Sequence, residues 1–221
     1  MFDRIAPHYE AMNTLMTLGM DRGWRRRAVR ASGLRPGGSA VDVACGTGSL
    51  TRELARAVPS GAVTGIDISP TMLAEARRRT PRHRSARVRY VMADALELPM
   101  PDASVDAVTI GFGLRNMPDY RRCLWEMARV VRRGGRVVVL EISRPRSRVA
   151  RLLAVMWFRR VVPLIGRLAG NGEAYRYLPD SVRDYPEPEA VRDLMEEVGL
   201  TDVRWRRLGL GLVTLHVGRK A

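Results

Sequence analysis

Ala40-Val41-Asp42-Val43-Ala44 is a short apolar strand pattern, and it runs directly into Cys45-Gly46-Thr47-Gly48-Ser49-Leu50, a glycine loop that opens a helix from Thr51 to Val58. A buried strand that turns through glycines into a helix has few continuations. The chain must cross back over the sheet and lay down the next strand parallel to the first. The downstream sequence follows that rule. Strand patterns at 62–68, 88–92, 105–111 and 136–141 alternate with helical patterns at 70–79 and 119–132, the latter predicted to stop at Gly134-Gly135. Pro70 suits a first helical turn, whose missing N–H costs nothing there. Upstream, residues 3–32 predict two helices with Met12, Leu15, Met16 and Leu18 as an apolar series, closed by the turn cluster 33–38. Downstream, a helix at about 187–199 precedes a hairpin at 203–217 that turns near Gly209-Leu210-Gly211. The expected fold is α/β, with a mostly parallel seven-stranded sheet, a C-terminal antiparallel hairpin and helices on both faces. Residues 1–221 read as one domain, with 1–35 as a helical cap and 144–185 as a helical lid.

The carboxyl edge of such a sheet is where a ligand binds, and acids stand at three successive strand ends. Asp42 lies four residues before Gly46, Asp67 ends the second strand with Ile68 beside it, and Asp94 follows the third with Ala95. The glycines let a ligand approach the backbone. The helix start offers free N–H groups and a partial positive charge, which suits a carboxylate. Asp42 could meet an ammonium, Asp67 two ribose hydroxyls, and Asp94 an adenine amino group. Dinucleotide enzymes carry a G-x-G-x-x-G loop, whereas Thr51 occupies the place of the last glycine here. The set fits an adenosyl amino acid without phosphates, S-adenosylmethionine. Taken singly, each acid reads equally well as a loop residue capping a helix.

The chain has a net charge of +15, almost all of it from arginine, with Lys220 the one lysine. The charge is spread along the chain, as in Arg25-Arg26-Arg27, Arg77-Arg78-Arg79 and Arg132-Arg133, and each cluster can be a solvated helix face. No nucleic acid is expected as partner. Cys45 and Cys123 are too few for a disulfide framework, and no signal layout or long apolar run is present, so a cytoplasmic protein is expected. The segment 144–170 mixes Leu152, Leu153, Met156, Trp157 and Phe158 with Arg148, Arg151, Arg159 and Arg160. Such a basic amphipathic stretch can lie on the inner face of the cell membrane, cap a greasy tunnel, or pack as a lid. A homodimer is left open, and no metal site is expected.

Several motifs narrow the reading. Residues 2–13 (Phe2-Asp3-Arg4-Ile5-Ala6-Pro7-His8-Tyr9-Glu10-Ala11-Met12-Asn13), Gly111-Phe112-Gly113-Leu114-Arg115-Asn116-Met117-Pro118-Asp119, Leu140-Glu141-Ile142-Ser143-Arg144-Pro145, Tyr175-Arg176-Tyr177-Leu178-Pro179-Asp180-Ser181-Val182 and Thr214-Leu215-His216-Val217-Gly218 resemble the menaquinone/ubiquinone-biosynthesis C-methyltransferases over almost the whole chain. The resemblance implies a Rossmann-like methyltransferase that alkylates a ring carbon of a polyprenylated quinol. Demethylmenaquinol is the first expectation, because the chain opens near its first motif. A benzoquinol, or both acceptors, is the alternative, and RNA is a more distant one suggested by charge. Carried over by position, the donor contacts are Thr47, Asp67, Asp94, Ala95 and Gly111, to which the loop adds Asp42, Gly46 and Gly48. Gly111 stands where some members have a hydroxyl, and Ala44 and Cys45 where many methyltransferases have glycines. For the acceptor, Arg115 is expected to stabilise the quinolate and Asn116 to orient its hydroxyl. His216 is the first candidate base, with Tyr9 and His8 behind it, and Tyr175 and Tyr177 are candidates to line the pocket. A packed histidine in the last strand and a helix-entry salt bridge are the structural alternatives for His216 and Arg115.

Overall fold

Strand β1 (Ser39–Val43) is buried on both faces and pairs in parallel with β2 (Ala62–Asp67) on one side and β4 (Val105–Gly111) on the other. The computed structural model describes residues 9–81, 86–148, 152, 156 and 177–221. From β1 the sheet grows outward through β3 (Arg87–Met92) beyond β2 and β5 (Val131–Ile142) beyond β4, all parallel. The last two strands, β6 (Leu200–Leu208) and β7 (Val213–Lys220), form a hairpin that enters with β7 against β5, both pairings antiparallel. The resulting order is β3-β2-β1-β4-β5-β7-β6, the seven-stranded mixed sheet expected from the sequence. A three-residue helical turn at Gly209–Gly211 joins the hairpin.

Helices cover both faces because the strands alternate two apolar surfaces. Val137 and Val139 face one core with Leu124, Met127 and Met195, while Val138 and Leu140 face the other with Trp24 and Leu54. Each fully buried leucine or methionine side chain contributes roughly 2 kcal/mol. α1 (Tyr9–Met16) and α2 (Met20–Ala31) precede the sheet, and α3 (Ser49–Ala57) and α4 (Pro70–Arg79) follow β1 and β2. α5 (Tyr120–Val130) links β4 to β5, and α6 (Tyr177–Asp184) and α7 (Pro188–Glu197) lead into the hairpin. The starts of α4 and α5 are capped by side chains: Ser69 accepts from the Met72 N–H at 3.1 Å and Asp119 from the Arg122 N–H at 2.9 Å.

One boundary differs from expectation. Gly134-Gly135 does not stop a helix. α5 ends at Val130, and the strand begins at once, with Val131 opposite Val105 and Arg136 opposite Ala107. Residues 132–135 bulge between those two pairs. A side chain on Gly135 would sit 2.6 Å from the Asp106 carbonyl oxygen, so the glycine serves a close backbone approach. The lid expected at 144–185 lies largely outside the described residues, with α6 at its C-terminal end. Among the described residues no helix is long and apolar enough to cross a membrane.

Candidate active site

The carboxyl ends of β1, β2, β3 and β4 surround a cavity of about 320 Å³. It collects Asp42, Gly46, Thr47, Asp67, Ile68, Asp94, Ala95 and Gly111 from the expected donor set, and Asn116 from the expected acceptor set. Gly48 lies behind the wall. It adopts φ 78° at the start of α3, and a side chain there would strike the Tyr90 hydroxyl at 2.4 Å. The loop's turn also uses positive φ at Ala44 (49°) and Gly46 (54°). Among the described residues no side chain caps the start of α3.

Each acid is held differently. Asp67 accepts the Gly46 N–H at 2.7 Å and the Ser69 N–H at 2.9 Å, which fixes its carboxylate at the loop. A carboxylate can take about four hydrogen bonds, so a diol can share it. Asp94 is exposed and accepts the Leu96 N–H at 2.9 Å in a local turn. Asp42 is buried, and receives the Thr51 hydroxyl at 2.7 Å and the Thr109 hydroxyl at 2.9 Å. Burial pushes its carboxyl up to about 6, against the opposing pull of those two hydroxyls and of the Arg25 guanidinium. The residues fit an adenosyl amino acid: at Gly46 a Cβ would enter open space, and the carboxyl groups of Asp42, Asp67 and Asp94 line one cavity with that loop.

Two residues of this region stand outside the sequence-based expectations. Glu10 of α1 accepts the Thr47 hydroxyl at 2.8 Å, a bond from Arg52 of α3 and one from Arg79 of α4 at 3.1 Å. Burial raises its carboxyl, but the bonds from Ser49, Arg52 and Thr47 outweigh that and hold it below the usual range. Glu10 therefore ties the cap helix to the donor loop. Arg25 belongs to a triplet that reads as a solvated face, yet it is 7% exposed and lines the cavity, whereas Arg26 and Arg27 are exposed. The signal that could have found it is helical phase. Asp21, Trp24, Arg25 and Ala28 recur at three- and four-residue spacing on the inward face of α2.

The acceptor assignments fare unevenly. Arg115 is not in the cavity wall. Its Nη1 donates to Glu141 Oε1 at 2.8 Å and to the Phe112 carbonyl at 2.6 Å, and its backbone N–H donates to Glu141 Oε2 at 3.1 Å. It is the buried salt bridge of the structural alternative, because Glu141, wholly inaccessible on β5, demands a counter-charge. His216 is likewise a core residue. It is fully buried on β7 between Val139 and Trp205, and its Nε2 lies 2.9 Å from the Pro188 carbonyl. Burial lowers its pKa to about 4 despite that carbonyl bond, and it is not among the residues that line the cavity. Tyr9 opens α1, but its side chain, like that of Tyr177, is outside the described residues, as are His8 and Tyr175. Among the described residues no three His, Cys, Asp or Glu side chains gather as a metal site.

The model of the ubiE/COQ5 methyltransferase family matches residues 1–220. A demethylmenaquinone methyltransferase of Thermus thermophilus is 45% identical over 99% of both chains. A ubiquinone/menaquinone biosynthesis C-methyltransferase UbiE of Geobacter sulfurreducens is 42% identical over 100% of this chain and 87% of its own. Among solved structures, a SAM-dependent methyltransferase of Thermotoga maritima superposes with TM-score 0.68 at 20% identity, covering 100% of this chain and 98% of that one, which is a likeness of fold.

Proposed function

The chain belongs to the ubiE/COQ5 methyltransferase family, and on that premise we propose that it methylates a ring carbon of demethylmenaquinol with S-adenosylmethionine as donor. The observation that carries this reading is the convergence of Asp42, Asp67 and Asp94 with the glycine loop on one cavity. When bound, the donor supplies a methyl group on a cationic sulfur, open to in-line attack. Asp42 takes the ammonium, the α3 start takes the carboxylate, Asp67 takes the ribose diol and Asp94 the adenine amino group. Ile68 and Ala95 flank the base, and Thr47 and Gly111 close the methionine end.

The ring carbon becomes nucleophilic when a quinol hydroxyl loses its proton, and phenols hold that proton with a pKa of about 10. Asn116, in the cavity wall, orients the hydroxyl. Phe112 and Met117 beside it keep water from the reacting pair, which strengthens every polar contact inside. Tyr9 of the cap helix, as tyrosinate, is our candidate to receive the proton and become the neutral phenol. A benzoquinol is the second acceptor, favoured by the Geobacter relative whose name joins ubiquinone to menaquinone.

A polyprenylated acceptor is presented from a bilayer. Leu15, Leu18 and Met20 at the α1–α2 corner are 49%, 68% and 42% exposed beside Arg22 and Arg26, a surface suited to an anionic lipid face at the cytoplasmic side. The test is methyl transfer from labelled donor to both reduced quinols in vesicles, with RNA as a third acceptor. Label is expected on the naphthoquinol, faster with anionic lipid and slower in high salt. Label on RNA alone, or on none, would overturn the acceptor. Equal rates on neutral and anionic vesicles would remove the membrane contact.

A further inference from the structure

We infer that Arg25 is the cation that holds, together with the α3 start, the carboxylate of the donor's amino-acid end, paired with Asp42 on the ammonium. The inference rests on the donor reading above and extends it to a residue outside the donor set. Arg25 sits on α2, and its side chain is 9% exposed. Its Nη1 donates to Asp21 Oδ2, one turn earlier. Nε and Nη2 make no hydrogen bond among the described residues, yet the side chain reaches the cavity wall. The guanidinium carbon lies 5.2 Å over the Phe112 ring, and the charge is close enough to Asp42 to lower that acid's pKa.

A guanidinium taken out of water needs more than one acceptor bond to offset its lost hydration. The side chain lines the cavity with Nε and Nη2 left open by Asp21, so a bound ligand can replace water as their acceptor. A planar carboxylate matches two parallel N–H groups. The position also selects which anion. Arg25 and Ser49, the first residue of α3, both line this cavity and the adjoining cleft. Asp67, Ile68 and Asp94 mark the nucleoside end. Asp42 and Arg25 thus present opposite charges at the amino-acid end, complementary to an ammonium and a carboxylate on one carbon.

The test is calorimetric titration of S-adenosylhomocysteine and of 5′-methylthioadenosine, which lacks the amino-acid end, into the full chain and its Arg25→Met and Arg25→Lys variants. Arg25→Met should weaken S-adenosylhomocysteine by about ten- to a hundredfold, the range of a lost charge-assisted contact. Arg25→Lys should recover part of that loss. Methylthioadenosine should bind all three chains within about twofold, which also reports that the cavity is intact. Unchanged S-adenosylhomocysteine affinity in Arg25→Met overturns the inference. So does a parallel loss of both ligands, which would make Arg25 a packing residue. A drop in quinol turnover with donor-product affinity intact would give the cation to the acceptor oxygen instead. Wild-type chain that binds neither ligand would overturn the donor reading itself, and this inference with it.

Discussion

Arg25 and Arg115 are both buried, both touch Phe112, and only Arg25 lines the cavity. Arg115 grips the Phe112 carbonyl and Glu141, so its charge is answered inside the protein. Arg25 lies over the Phe112 ring with one carboxylate partner and a fork open to the cavity. Phe112 itself has φ 62°, a left-handed backbone that a bulky residue adopts only when its surroundings enforce it. Arg115 is one of those enforcers and Arg25 uses the platform that results. A buried arginine near a site is therefore weak evidence of chemistry. What separates the two is how many acceptors each already owns.

The sharpest way to break this comparison is to remove Arg115. Arg115→Ala leaves Glu141 charged, wholly buried and without its counter-ion, so a loss of roughly 3–5 kcal/mol is expected. In a chain of this size that lowers the melting temperature by roughly 6–20 °C. Pairing the change with Glu141→Gln should recover more than half, since the orphaned charge goes with its partner. Thermal unfolding with product bound and free checks it. A variant as stable as wild type but without turnover would restore Arg115 to the acceptor chemistry and collapse the distinction.

The cofactor half of the molecule was legible because its signals are local. A strand, a glycine loop and an acid at a strand's end occupy neighbouring positions, and one rule places them on the same sheet edge. The parallel sheet and the closing hairpin followed from the same alternation, whereas the order β3-β2-β1-β4-β5 is visible only in the structure. The acceptor half was not legible, because side-chain direction there depends on distant partners. Arg115 is turned away by Glu141, 26 residues downstream, and His216 is claimed by the Pro188 carbonyl, 28 residues upstream. The same holds for Arg25 and Glu10. Their neighbours in sequence look like a solvated helix and a cap, and only packing shows that they turn onto the donor loop.

A smaller effect should appear in the pH dependence of product affinity. Asp42 titrates at about 6 because it is buried. Above that pH it is a carboxylate and holds an ammonium. Below it, affinity for S-adenosylhomocysteine should fall about tenfold per pH unit, as the free protein must give up a proton to bind. Stability has the opposite sign. A carboxyl whose folded pKa is raised stabilises the fold below its ordinary value of 3.8 and loses that contribution as pH rises through about 6. Asp42→Asn should flatten the affinity profile across pH 5–7 and weaken binding at neutral pH. A profile as steep in the variant as in wild type would move the titration to another group and uncouple Asp42 from Arg25.

The gentlest test removes the carboxylate partner from the open arginine. Asp21 receives Arg25 on one carboxylate oxygen and the Thr17 hydroxyl at 3.2 Å on the other; asparagine, with a single acceptor oxygen, can keep the Arg25 bond while its amide N–H donates to the Thr17 hydroxyl instead. Unlike Glu141, Asp21 leaves behind a cation that reaches the cavity, where water can solvate the freed N–H groups. Asp21→Asn should therefore cost only about 1 kcal/mol in chemical unfolding. Product affinity should shift by no more than about threefold, because the ligand's own carboxylate still orients the guanidinium. A destabilisation as deep as that of Arg115→Ala would mean that Arg25 is sealed as tightly as Arg115, with no donor to spare for a ligand. A loss near 1 kcal/mol would mean instead that water and ligand alternate on the open side of the fork.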